Sequence, residues 1–295
     1  MPVPCSAPVK LVSKMPIESA SIPPVNMRPS ELIRHTRSIE SGQPARGEHS
    51  LDKAKALLEL VAKRRRETHT QYHHFHSFDG GIWDFDYVVP WTKSACNLNA
   101  RLMIIGQDWA SEEFLRSPKN NKPDRIAARK ATGQDEKLRT NRRLKELLEK
   151  HFSLSFSETY ATDVFVFIKP GDMGTNIPKP DMLYCACKYT FPQIDQVQPV
   201  MAICLGAATF NSLREALKYP AMPFKEACEP SPHTVYSRTR TEIFGVPHTG
   251  FRGESNAGGM ENVDRIWARL AEHFSNKHSS TPSTLVQPPP DHPCG

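Results

Sequence analysis

The sequence predicts an α/β protein: a three-layer α/β/α domain around a central parallel sheet of about four strands, flanked by disordered tails. Three observations predict it. Four short apolar runs recur along the middle of the chain. Stretches with apolar stripes at helical spacing separate them. Half of the 26 prolines fall outside this region, eight in residues 1–50 and five in 276–295. Apolar strands alternating with helices belong to a parallel sheet covered on both faces.

Each element follows in order. Residues 1–50 are rich in Pro, Ser and Arg without periodicity and read as disordered. Leu51 to Glu67 reads as a helix with Leu57, Leu58 and Val61 on one face, forming a basic segment over 51–68. Its last turn, Lys63 to Arg66, suits the helix dipole and reads as a solvated end or a nucleic-acid contact. The core domain spans 69–275. It opens with an aromatic loop, Tyr72 to Asn99, whose His73, His74 and His76 lack partners at a familiar metal-ligand spacing. Leu102 to Ile105 is the first strand, ending at Gly106. Leu138, Leu144, Leu147, Leu148 and Phe152 form a helical stripe before the second strand, Tyr160 to Ile168. Val200 to Leu205 is the third, followed by a helix carrying Phe210, Leu213 and Leu217. Glu242 to Val246 is the fourth. A closing helix carries Met260, Val263, Ile266, Trp267, Leu270 and Phe274. Residues 276–295 read as a disordered Pro/Ser-rich tail.

Composition narrows the classes. The chain has 295 residues and a formal net charge of +6, mildly basic and compatible with a polyanion partner. No apolar run approaches the ~20 residues of a membrane helix, and the N-terminus shows no signal pattern. The expectation is a cytoplasmic protein of bacterial intracellular or nucleoid-associated type. Seven cysteines without a C-x-x-C pair read as reduced thiols.

In parallel sheets the ligand site lies outside the carboxyl ends of the strands. The first end reads Ile105-Gly106-Gln107-Asp108-Trp109 and carries neither glycine-rich phosphate motif. The second strand holds Thr162-Asp163 and runs into Lys169-Pro170-Gly171. The fourth end reads Pro247-His248-Thr249-Gly250-Phe251-Arg252.

This set resembles the uracil-DNA glycosylase superfamily over about residues 85–275. Ile105-Gly106-Gln107-Asp108 matches the water-activating I-G-Q-D-P-Y-H loop, from which Trp109-Ala110-Ser111 departs. His248 matches the start of the H-P-S-P-L motif, from which Thr249 to Arg252 departs. Asp163 stands where the family often has Asn. The resemblance implies a monofunctional DNA base-excision glycosylase without metal or redox cofactor; the cysteine spacing does not resemble that of the iron–sulfur relatives. Such enzymes act on a base extruded from the DNA. Asp108 would stabilise the sugar cation and position water, and His248 would stabilise the leaving base. Gln107, Trp109 and Asp163 would form the base pocket. Phe114 and Phe165 are both candidates to stack on the base. Phe251 and Arg252 would wedge into the duplex.

The basic stretch 116–150 carries 12 Lys/Arg against five Asp/Glu. Within it, Arg142 and Arg143 are expected to contact the DNA backbone. The resemblance implies DNA, duplex or single-stranded and containing an altered base, as the partner, and the protein is expected to be a monomer. Ionised Asp163 would set a lone pair against uracil O4, whereas protonated it can pair with the edge of cytosine or adenine. Uracil is therefore not the expected best substrate. Two rivals remain: a base-flipping DNA-binding module of the same fold, and a hydrolase of another N-glycoside.

Overall fold

The computed structural model describes residues 46–229 and 234–279. The segments expected to be disordered therefore lie, except for their inner ends, outside the described residues. Those inner ends are helical: α1 runs Arg46–Arg66, starting before the expected Leu51, and α10 runs Met260–Ser279, past the expected limit at 275.

The protein is a three-layer α/β/α fold. Its strands are β1 (Leu102–Asp108), β2 (Tyr160–Phe165), β3 (Met201–Leu205), β4 (Val235–Tyr236) and β5 (Thr241–Val246). They form one five-stranded sheet in the order β2-β1-β3-β5-β4. The four expected strands are parallel; β4 adds a short antiparallel edge on β5. Two residues leave no periodic signal, so β4 was not legible in the sequence. β2 ends at Phe165 rather than Ile168, because Ile168 leaves the sheet to bridge His73 of the aromatic loop.

Every residue of β2, β3 and β5 is buried, including the polar Thr162, Asp163, Thr241 and Glu242. Neighbouring residues of β5 show both covers. Phe244 meets His273 of α10, while Gly245 lies against Phe210 of α7 (Ala207–Ala216) and Phe224 and Ala227 of α8 (Phe224–Ala227). Burial on both faces is what makes parallel strands continuously apolar.

Before β2 the chain forms α2 (Glu112–Arg116), α3 (Pro123–Thr132) and α4 (Arg139–Leu147). After it come α5 (Lys179–Cys185) and α6 (Phe191–Val197), and α9 (Phe251–Asn256) follows β5. In α10, Val263, Trp267, Leu270 and Phe274 enter the core, as their spacing predicts.

The face of α1 differs from the expected one. Leu57, Leu60 and Val61 are buried, but Leu58 is half exposed. Arg64, in the supposedly solvated basic turn, is 1% exposed. It pairs with Asp84, donates to the Val88 carbonyl and lies 5.0 Å from the Phe75 ring centroid. Burial pulls its pKa down to about 10, with Asp84 opposing the shift. Arg64 therefore clamps α1 to the aromatic loop and is not available to nucleic acid.

Just beyond α1, Glu67 is enclosed by donors. It accepts from Tyr184 at 3.0 Å and from Tyr189, pairs with Lys188, and lies 2.9 Å from His69. Burial alone would raise its pKa, but these donors outweigh burial and hold it below the ordinary value. Cys96, Cys185, Cys204 and Cys228 are free thiols.

Candidate active site at the carboxyl edge of the sheet

β1 pairs with β2 on one side and β3 on the other, and the chain crosses between those sides after β2. A cleft of about 510 Å³ opens at the carboxyl ends of the strands around this crossover. Gln107, Asp108, Trp109, Asp163, His248, Phe251 and Arg252 all line it. Seven residues from three separate segments, each singled out in the sequence, thus share one cavity.

Asp108 closes β1 with its side chain 6% exposed. Its Oδ2 lies 3.1 Å from Lys169 Nζ. That ammonium also donates to the carbonyls of Met173 at 2.9 Å and Thr175 at 3.0 Å. The ammonium thus faces Asp108 as an ion pair while two of its N–H bonds go to the loop beyond β2. Burial raises the Asp108 pKa and the Lys169 charge offsets part of that rise.

Asp163 sits on β2 opposite Gly106 of β1 and is fully buried. Neither carboxyl oxygen has a hydrogen-bond partner. Its pKa is raised well above the ordinary carboxylate value, first by burial and second by the neighbouring Asp108 charge. Of the two carboxyls, Asp163 is the one whose surroundings favour the protonated form more strongly, because the Lys169 ammonium favours the ionised form of Asp108. Gly106 leaves room here: a Cβ would overlap Asp163 Oδ1, while it would meet the Trp91 ring at ordinary contact distance.

His248 follows β5. The residue is exposed on the cleft wall, with protein close enough to strip part of its solvent. That enclosure lowers its pKa, so the neutral imidazole predominates at pH 7. The Gly250 N–H donates to His248 Nδ1 at 3.1 Å. Nδ1 is then the acceptor nitrogen, and Nε2 carries the proton. Two contacts fix this loop. Thr249 donates to the Thr140 carbonyl of α4 at 3.0 Å, and Gly253 lets α9 close on the His248 backbone, where a Cβ would clash.

The aromatic walls are now distinguishable. Trp109 donates to the Gly133 carbonyl at 2.8 Å and packs against Phe75 and Trp83. Ser111 caps α2 by accepting from the Phe114 N–H, and Phe114 lines the cleft. Phe165 does not; it packs against Tyr72 and Phe167 in the core. Phe251 projects at the rim, 70% exposed, with the Arg139 guanidinium 5.9 Å from its ring centroid.

Sequence reasoning missed Trp91 and Arg129 as cleft components, and Lys169 as the buried partner of Asp108. Lys169 was visible only as the residue after the second apolar run. Trp91 belongs to the aromatic loop, and only the fold brings it over Gly106. Arg129 is buried between Trp83 and Phe114, at 5.0 and 5.7 Å from their ring centroids.

The basic stretch is partly neutralised internally. Arg125 and Arg129 meet Asp135, Lys137 meets Asp124, and Lys145 meets Glu136. Arg142 and Arg143 lie outside the main cleft, lining a separate cavity with Arg139, Glu146 and Met260. Arg143 is paired with Glu146 and Asp264, while exposed Arg142 makes no ion pair among the described residues. Of the histidine cluster, His73 lies 3.2 Å from Glu112 and His74 packs edge-on to Phe167.

No helix among the described residues is long and apolar enough to cross a membrane. No family model and no curated protein matches the chain.

Proposed function

We propose that the protein is a monofunctional DNA glycosylase that hydrolyses the N-glycosidic bond of a flipped, altered base. The observation that carries the reading is the shared cleft of Asp108 and His248 at the carboxyl edge of the sheet. Bond cleavage develops positive charge on the sugar and negative charge on the departing base. Asp108, braced through Oδ2 by Lys169, uses its other oxygen to hold the water and face the sugar cation. Neutral His248 donates from Nε2 to the base oxygen. Both groups are fixed before the charges appear, the condition under which such donors count most. Phe251 and Arg252 stand at the rim, where a wedge would enter the space left by the base. On this reading the protein acts as a monomer beside DNA in the cytoplasm or nucleoid.

The test is incubation with a panel of duplexes and single strands, each carrying one altered base, followed by alkaline scission of abasic sites. Scission at one class of base, lost in Asp108→Asn while DNA binding persists, supports the reading. Binding to a lesion without scission assigns the cleft to a base-flipping module instead. Activity confined to free nucleosides assigns it to another N-glycoside hydrolase.

A further inference from the structure

The fully buried carboxyl of Asp163 has no protein partner at either oxygen, although it lines the cleft. A buried polar group left in this state is costly unless a ligand completes it. The backbone does not relieve it, because Gly106 opposite supplies only room. The adjacent Asp108 is already engaged by Lys169. Across the cleft, the Gly250 N–H fixes His248 with its Nε2–H free to donate.

Resting on the glycosylase reading, we propose that this cleft selects a cytosine-type base: one with a carbonyl O2, an unprotonated ring N3 and an exocyclic amine in sequence along its edge. His248 Nε2–H donates to O2. The Asp163 hydroxyl donates to N3, and its carbonyl oxygen accepts from the amine. All three protein groups then have partners.

Rival bases fit less well, for separate reasons. Adenine offers the ring nitrogen and the amine but has C–H where cytosine has O2, so the His248 donor stays unpaired. Uracil can pair with a protonated carboxyl, which accepts from N3–H and donates to O4. That arrangement holds only while the proton remains on Asp163. With cytosine the proton can sit on either the carboxyl or N3, and both hydrogen bonds survive. When it sits on N3 the pair becomes a charge-assisted bidentate contact, stronger than the neutral one. The preference for cytosine follows from this freedom of one proton, not from protonation alone.

The experiment uses the full chain. Free cytosine and free uracil are titrated separately and in competition, with binding read from the His248 ring resonances. The lesion panel, with uracil and 5-substituted cytosines, is run in parallel. The expected result is cytosine binding about tenfold or more tighter than uracil, with Asp163→Asn reversing the order. Equal or tighter binding of uracil by the unmodified protein overturns the base assignment, whether or not any duplex is cut. Absence of cytosine binding at millimolar concentration overturns it as well. Preferred cytosine binding without scission of any duplex overturns only the glycosylase reading. The comparison of two bases on the unmodified protein does not depend on the folding of a variant.

Discussion

Glu67 and Asp163 are both carboxyl groups withdrawn from water, and the protein treats them oppositely. Glu67 is ringed by Tyr184, Lys188, Tyr189 and His69, and its pKa falls below the ordinary value. Asp163 has no donor at either oxygen, and its pKa rises well above it. The first joins the end of α1 to α5 and the turn after it. The second joins nothing. A satisfied buried carboxylate marks a place where polar contacts hold the fold; an unsatisfied one marks a place where stability is surrendered for a ligand.

The sharpest test of that contrast is catalytic. Asp108→Asn should lower base excision, measured per folded molecule, by about 10²–10³-fold. Glu67→Gln should leave the turnover of folded protein as it was. If Glu67→Gln instead abolishes excision in fully folded protein, the division between the two regions fails.

Next in size is the structural cost of breaking the Glu67 cage. Glu67→Gln deprives Tyr189 and Lys188 of a charged acceptor and should destabilise by about 1–3 kcal/mol. A domain of this size then melts roughly 2–4 °C lower per kcal/mol, measurable by thermal denaturation.

Asp163→Asn should move the melting temperature the other way, upward by a few degrees at pH 7. The sign follows from linkage. The folded protein keeps the Asp163 proton while the unfolded chain ionises above the ordinary value of 3.8, so the wild type loses stability as pH rises past 3.8 toward the raised folded value. The advantage of the variant should shrink as pH falls toward 3.8. Asp108, itself facing Lys169, is the titratable neighbour that acts on this group. Glu67 has the opposite sign: its contribution is present above the ordinary carboxylate range and is lost as pH falls through its depressed folded pKa. A Tm difference for Asp163→Asn that does not vary with pH would count against a protonated Asp163.

The smallest effect concerns the basic stretch. Arg142→Ala should weaken DNA binding and flatten its salt dependence by about one unit of slope, read from affinities at several salt concentrations. Arg143→Ala should do less to affinity, because Arg143 is already paired with Glu146 and Asp264.

The fold and the cleft were legible to different depths. The parallel strands announced themselves because burial on both faces leaves continuous apolar runs, and the strand ends then pointed to Asp108 and His248. β4 was too short to register. Arg64 was misread because a basic last turn looks the same in sequence whether it meets water or a buried Asp84. The partners of Asp108 were hidden for a related reason. Lys169 reaches it only through the parallel pairing of β1 and β2 and the bridge between Ser111 and Lys169. Local pattern carries no record of such long-range neighbours.

The pairing of Gly106 with Asp163 also constrains the order in which this site can change by descent. While Asp163 keeps its carboxyl, even alanine at 106 overlaps it, so that step is closed. Replacing Asp163 first with a smaller residue removes the obstruction and makes Gly106→Ala tolerable. The two positions are therefore coupled in one direction: position 163 can drift alone, whereas 106 must follow it. Once a side chain occupies 106, restoring the acid at 163 is blocked in turn. Loss of the buried acid would then be a step that lineages carrying it could take but not readily retrace.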